Sequence, residues 1–275
     1  MGEGNFSSVN LYRSRMTGDL FAIKETKASR MSVNEVQALG TLSIFSQKSK
    51  NIIRYFHSWV ENSELYLVME YCNDSFSRAI DRKRRERIQF FESAIKDFLK
   101  QSLQGLKCMH ENKMVHLDLK PENILFKDSV LKISDLGLTR LNNLKRESEL
   151  EEGDSRYLAR EVLNYYPGVD LTKSDIFSLG MAIYEAISLE HLPNNGEDWI
   201  DIRRHGLDLK DRMDLQEYSR DLLSIVEAMT RPNWPDRPGA AEILRSTYFK
   251  EASGRKSKLF ATNRGTRERK NESSL

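Results

Sequence analysis

The chain has only two cysteines, Cys72 and Cys108, in 275 residues. That is too few for a disulfide framework and points to a reducing compartment. No apolar run approaches the roughly 20 residues needed to span a bilayer, and the N-terminus lacks the basic-then-apolar pattern of a secretory signal. A cytosolic or nuclear protein without membrane attachment is expected. Net charge is also scarce: 43 basic against 41 acidic residues leave +2, so charge does not argue for nucleic-acid binding. Internal repeats and low-complexity tracts are lacking as well. What is present is a 39% apolar, 31% charged composition, ample for the core of one large domain or two lobes.

The richest stretch chemically is His116-Leu117-Asp118-Leu119-Lys120-Pro121-Glu122-Asn123. It places a carboxylate, a cation and a carboxamide within a few residues. Phosphoryl transfer needs such a set: a carboxylate to orient the attacking hydroxyl, a cation near the moving phosphate, and an oxygen ligand for Mg²⁺. Asp135-Leu136-Gly137 follows, behind the short apolar run Val130-Leu131-Lys132-Ile133. Together, in this order and spacing, the two stretches resemble the catalytic loop and metal-binding tripeptide of protein kinases.

The resemblance extends in both directions. Gly2-Glu3-Gly4-Asn5-Phe6-Ser7-Ser8-Val9 is similar to a phosphate-covering glycine loop, with Ser7 where a third glycine is usual. Read plainly it is an ordinary N-terminus. A dinucleotide-binding reading requires strand–loop–helix, whereas strand follows the glycines here. Residues 9–12 and 20–24 read as strands joined by a hairpin at Thr17-Gly18-Asp19.

Phe21-Ala22-Ile23-Lys24 resembles the strand whose lysine holds the α- and β-phosphates. Residues 32–43 read as the next helix, carrying Glu35 where the family places the partner of that lysine, with Glu25 as the local competitor. Strands are expected at 52–60 and 65–70. The second resembles the strand entering the inter-lobe hinge, with Met69 beside the adenine pocket and Glu70 to Cys72 offering backbone hydrogen bonds to the base. By the same resemblance Val9, Ala22 and Leu125 line the nucleotide site.

Arg82-Lys83-Arg84-Arg85-Glu86-Arg87 is the densest basic run. It reads as a solvated face, with docking of an acidic partner or a nuclear-import signal as alternatives. Helical periodicity marks 90–112, where Ile95, Phe98, Leu99, Leu103 and Leu106 share a face. Residues 174–189 are apolar nearly all round behind a cap at Ser174-Asp175, and further helices are expected at 217–229 and 240–245. Strands first and helices later imply an α+β, two-lobed kinase fold. Its small β-rich lobe and hinge take residues 1–72, with an incomplete first strand because Met1 directly precedes Gly2. A larger helical lobe takes 73–250, and 251–275 form a basic tail expected to be disordered.

The resemblance assigns Asp118 as catalytic base, Lys120 to the γ-phosphoryl group, and Asn123 and Asp135 to Mg²⁺, with ATP as phosphate donor. Ala159-Arg160-Glu161 closes the activation segment, with Glu161 expected to pair with Arg237. Leu117 departs from the family: many kinases carry an arginine there that pairs with a phosphate on the activation segment. Activity is therefore expected without that phosphorylation, with Glu147, Glu149, Glu151, Glu152 and Asp154 supplying fixed negative charge instead.

Two stretches, Glu151-Glu152-Gly153-Asp154-Ser155-Arg156-Tyr157-Leu158-Ala159 and Leu192-Pro193-Asn194-Asn195-Gly196-Glu197-Asp198-Trp199, resemble the Wee-type kinases that inhibit cyclin-dependent kinases. Arg54-Tyr55-Phe56-His57-Ser58-Trp59 and Glu70-Tyr71-Cys72-Asn73 are similar to them too. That resemblance implies a monomer in the nucleus, and also in the cytoplasm, phosphorylating a tyrosine in the glycine loop of a mitotic cyclin-dependent kinase. Lys120 follows the serine/threonine pattern, so the acceptor stays open. A serine/threonine kinase of another group, such as those acting on a translation initiation factor, is one alternative. A nucleotide-binding pseudokinase scaffold and a binding module built on the basic run are the others.

Overall fold

The computed structural model describes residues 2–4, 7–27, 47–142, 153–164 and 168–250. Glu35 and its expected helix, the acidic residues 147–152 and the tail 251–275 lie outside the described residues.

The N-terminal part is an antiparallel sheet in the order β1-β2-β3-β5-β4, from β1 (Gly2–Gly4), β2 (Ser7–Arg13), β3 (Leu20–Lys27), β4 (Tyr55–Glu61) and β5 (Glu64–Glu70). The β2–β3 hairpin closes where expected. Gly18 takes the positive φ of +78° that this turn needs, donating its N–H to the Ser14 carbonyl. Alternation along β3 and β5 puts Ala22, Lys24, Leu67 and Met69 on one face, with Ala22 opposite Met69 and Lys24 opposite Leu67.

The expected strand at 52–60 begins three residues later. Ile52 and Ile53, both fully buried, turn instead to the second lobe, where the Ile53 N–H donates to the Ile133 carbonyl and the Ile133 N–H to that of Asn51. This pairing stitches the lobes together behind the cleft.

The second part is mainly helical. Helix α1 (Phe76–Glu86) is capped by the Ser75 hydroxyl on the Arg78 N–H. It is followed by α2 (Glu92–Glu111), α3 (Arg160–Leu163), α4 (Thr172–Ser188), α5 (Gly196–His205), α6 (Arg220–Met229) and α7 (Ala240–Leu244). Short strands line its upper face: β6 (Asp74–Ser75), β8 (Ile124–Lys127) and β9 (Val130–Ile133) form one sheet. A second pairs β7 (Met114–Val115) with β10 (Arg140–Leu141).

Helix α4 is buried on all sides, as a helix without a polar face must be. Residues such as Ile176, Leu179 and Ile183 each contribute about 1.5–3 kcal/mol by leaving water. Its start differs from expectation. The helix begins at Thr172, and the Asp170 carboxylate accepts the Thr172 N–H, whereas Asp175 lies inside the first turn and faces the catalytic loop. No helix among the described residues is long and apolar enough to cross a membrane.

In the basic run, Arg82 pairs with Asp74 at 2.7 Å and Arg84 with Asp81 and Glu185 at 3.0 and 3.1 Å. At least these two arginines serve the fold rather than a free charged surface.

Candidate active site

The loop between β7 and β8 is held from beneath by one carboxylate. Asp175, wholly buried, accepts the backbone N–H groups of His116 and Leu117, each at 2.9 Å, and meets His110 Nε2 at 2.8 Å. These contacts support Leu117 at a φ of +67°, a conformation that a leucine adopts only when its surroundings impose it. Sequence reasoning missed this role. The available signal was an aspartate near the start of a helix whose neighbours are almost all apolar.

Above that anchor, Asp118 collects three donors. Asn123 Nδ2 donates to Oδ2 at 2.9 Å and to the Asp118 carbonyl at 2.8 Å; Lys120 Nζ lies 2.9 Å from Oδ2; the Asp154 N–H donates to Oδ1 at 3.1 Å. His116 ties this loop to the next. Its Nδ1 accepts the Asp118 N–H at 3.2 Å while Nε2 meets the Ser134 carbonyl at 2.9 Å. Ser134 returns its N–H and its hydroxyl to the Asn123 carbonyl. Asn123 and Asp135, separate in sequence, are thereby held on adjacent backbones.

Lys24 reaches down from β3 and pairs with Asp135 at 2.6 Å. Its position deep in the cleft, although the side chain keeps access to solvent, pushes the Asp135 carboxyl up, but the charge and hydrogen bond of Lys24, with His116 and Lys120 behind it, hold it below the usual range. Glu25 is not the partner of Lys24. It faces the other side of the strand and accepts from Tyr12 Oη and Asn10 Nδ2 at 3.1 and 3.3 Å. The expected partner Glu35 lies outside the described residues.

The donor set fits a small hard cation. Asn123 spends its N–H₂ on Asp118, which turns its amide oxygen elsewhere, and Asp135 engages Lys24 through Oδ1 with its side chain 43% exposed. The described residues hold no group of three or more His, Cys, Asp or Glu side chains suited to a metal. Two protein oxygens with water and phosphate completing the shell are what Mg²⁺ usually takes.

The residues assigned to the base share one apolar cluster: Ala22, Met69 and Cys72 are buried in it, with Val9 and Leu125 packed against it. Gly2 pairs with Val9, Glu3 with Ser8 and Gly4 with Ser7, folding the glycine strand back on β2. The Glu70 side chain is committed elsewhere, to Lys132 at 2.7 Å, Lys127 at 3.3 Å and the Arg54 N–H at 2.9 Å, and its own N–H donates to the Arg54 carbonyl at 2.9 Å. Burial pushes the Cys72 thiol up to about 12, which makes it a packing group rather than a nucleophile.

On the far side, Glu161 and Arg237 pair inside the helical lobe, with the guanidinium NH2 3.1 Å from Oε2 and both side chains essentially unexposed. Ser174 Oγ also donates to Glu161 at 2.8 Å. Leu117 joins Val115, Leu158, Val162 and Leu171 in a small apolar cluster under the activation segment.

Comparison with known proteins agrees with this geometry. A model described as the protein kinase domain matches residues 1–249. A Wee1-like protein kinase of Oryza sativa is 36% identical over 90% of this chain and 46% of its own length. Wee1-like protein kinase 2 of Homo sapiens is 32% identical over 94% of this chain and 49% of its own. A membrane-associated tyrosine- and threonine-specific cdc2-inhibitory kinase of Drosophila melanogaster is 32% identical over 89% and 45%. The chain thus spans about half the length of the curated relatives it matches. With its two lobes, its paired loops and a match along nearly all of the folded chain, it belongs to the protein kinase family, and the relatives named here are Wee-type kinases.

Proposed function

We propose that this chain is an ATP- and Mg²⁺-dependent protein kinase whose acceptor is the inhibitory tyrosine of a mitotic cyclin-dependent kinase. The observation that carries the reading is the convergence on one loop pair. Asp118 is held by Asn123 and Lys120, and Asp135 is tied beside Asn123 through His116 and Ser134.

In this reading Asp118 accepts the proton of the attacking hydroxyl, a step typically worth 10²–10⁴-fold. The substrate oxygen bonds to the γ-phosphorus as the bond to the β-phosphate oxygen breaks, leaving ADP. Lys120 offsets charge on the moving phosphoryl group, and Lys24 fixes the α- and β-phosphates. Asn123 and Asp135 would hold Mg²⁺, which supplies charge neutralisation between the phosphates when bound. Ala22, Met69 and Cys72, with Val9 and Leu125, enclose the base.

The choice of substrate rests on the Wee-type relatives, one of which is named as cdc2-inhibitory with tyrosine and threonine specificity. Threonine is accordingly the second acceptor, in keeping with the lysine at 120. A nuclear location would accompany such a substrate. The test is Mg²⁺- and ATP-dependent labelling of a cyclin–kinase complex followed by phosphoamino-acid analysis, with Asp118→Asn as control. Phosphotyrosine that vanishes in the variant supports the reading. Phosphoserine alone, or labelling that survives in the variant, overturns it.

A further inference from the structure

Arg203 is an arginine whose charge has no carboxylate partner among the described residues. It stands on α5, 4% exposed. Its Nε donates to the Leu158 carbonyl at 3.0 Å, one terminal nitrogen to the carbonyls of Ser155 and Arg156 at 2.8 and 2.9 Å, and the other to Trp199 at 3.3 Å. Its guanidinium lies 4.1 Å from the centre of the Trp199 ring and 5.6 Å from that of Phe177. The Trp199 indole N–H adds a second donor to the Ser155 carbonyl at 2.8 Å.

A buried cation is costly unless dipoles or ring faces compensate it. Here that compensation comes largely from one stretch of backbone, residues 155–158. Immediately before that stretch, the Asp154 N–H donates to the Asp118 carboxylate. The planar fork of an arginine can hold several carbonyls at fixed angles, which a lysine cannot.

We infer that Arg203 is a positioning residue for phosphotransfer: by gripping the carbonyls of Ser155, Arg156 and Leu158 it keeps the Asp154 N–H seated on Asp118 without any phosphate on the activation segment. This rests on the kinase reading above. Leu117, buried in its apolar cluster, offers no arginine for a phosphate to recruit, so the grip comes from α5.

The test uses the full chain after phosphatase treatment, with Arg203→Met, Arg203→Lys and Trp199→Phe. Three quantities are read: kcat and KM for ATP on a cyclin–kinase complex, the melting shift with Mg-ATP, and the rate of tryptic cleavage after Arg156 and Arg160. Arg203→Met is expected to lose on the order of 10²-fold in kcat, as a small misplacement near the reacting atoms does. Its KM for ATP and its nucleotide-dependent melting shift should stay as in the wild type, while cleavage quickens. Arg203→Lys and Trp199→Phe are expected to fall between, and they carry the test if the methionine variant does not fold. Variants with wild-type kcat and wild-type cleavage overturn the role of Arg203. An inert wild-type chain overturns the kinase reading, and unchanged cleavage in the variants would then overturn the grip itself.

Discussion

Gly153 stands against Asp118 with no room for a side chain: a Cβ there would lie 2.8 Å from the Asp118 carboxylate oxygen and 2.8 Å from the Leu117 carbonyl. The activation segment can approach the catalytic loop this closely only through glycine, and the approach lets the next N–H, that of Asp154, reach Asp118.

Gly153→Ala should therefore displace the segment rather than unfold the protein. We expect kcat to fall on the order of 10²-fold while melting temperature and KM for ATP stay near wild type. Steady-state kinetics beside a thermal melt check this, and wild-type turnover would refute it.

Leu117 is 3% exposed and packs inward. Activity is expected to survive complete dephosphorylation of the purified chain, read by labelling before and after phosphatase. Leu117→Arg would put a charge into that cluster and should cost about 2–4 kcal/mol of stability, measurable by urea unfolding, without creating a phosphate requirement.

The pair Glu161–Arg237 supports the lobe rather than the chemistry. Glu161→Gln leaves a buried arginine short of its counter-charge, and a loss of roughly 3–5 kcal/mol is expected. A variant as stable as wild type by denaturant titration would show that the carbonyls of Arg231, Lys173 and Pro232, which Arg237 also reaches, suffice alone.

Asp154 sets an acid limit. Burial raises its carboxyl, but the hydrogen bonds and charge of Arg156 hold it below its ordinary 3.8. A lowered folded value means a contribution complete above the unfolded value and lost as pH falls through the folded one. Between pH 5.5 and pH 3 the urea midpoint of the wild type should drop further than that of Asp154→Asn. Equal drops would remove Asp154 from the account.

Much of the site was legible along the chain, because the groups within each loop are close in sequence. Asp118, Lys120 and Asn123 span six residues, and their types match the chemistry one by one. The hairpin at Gly18, the face of α2 and the wholly apolar α4 follow from local pattern, since period and turn chemistry are properties of neighbouring residues. Other features depended on long-range partners. The start of β4 shifted because Ile52 and Ile53 pair with Ile133, and Asp175 looked like a cap because its acceptor role faces a loop some sixty residues earlier.

The amino-acid sequence alone determined the candidate reacting groups, the order of strands and helices and the family, since these are written in residue type and local spacing. Only the tertiary structure decided that Lys24 meets Asp135, that Gly153 touches Asp118 and that Arg203 is spent on backbone carbonyls. Those contacts join residues 35 to 111 positions apart, and which distant side chains share a buried space is settled by how the whole core packs.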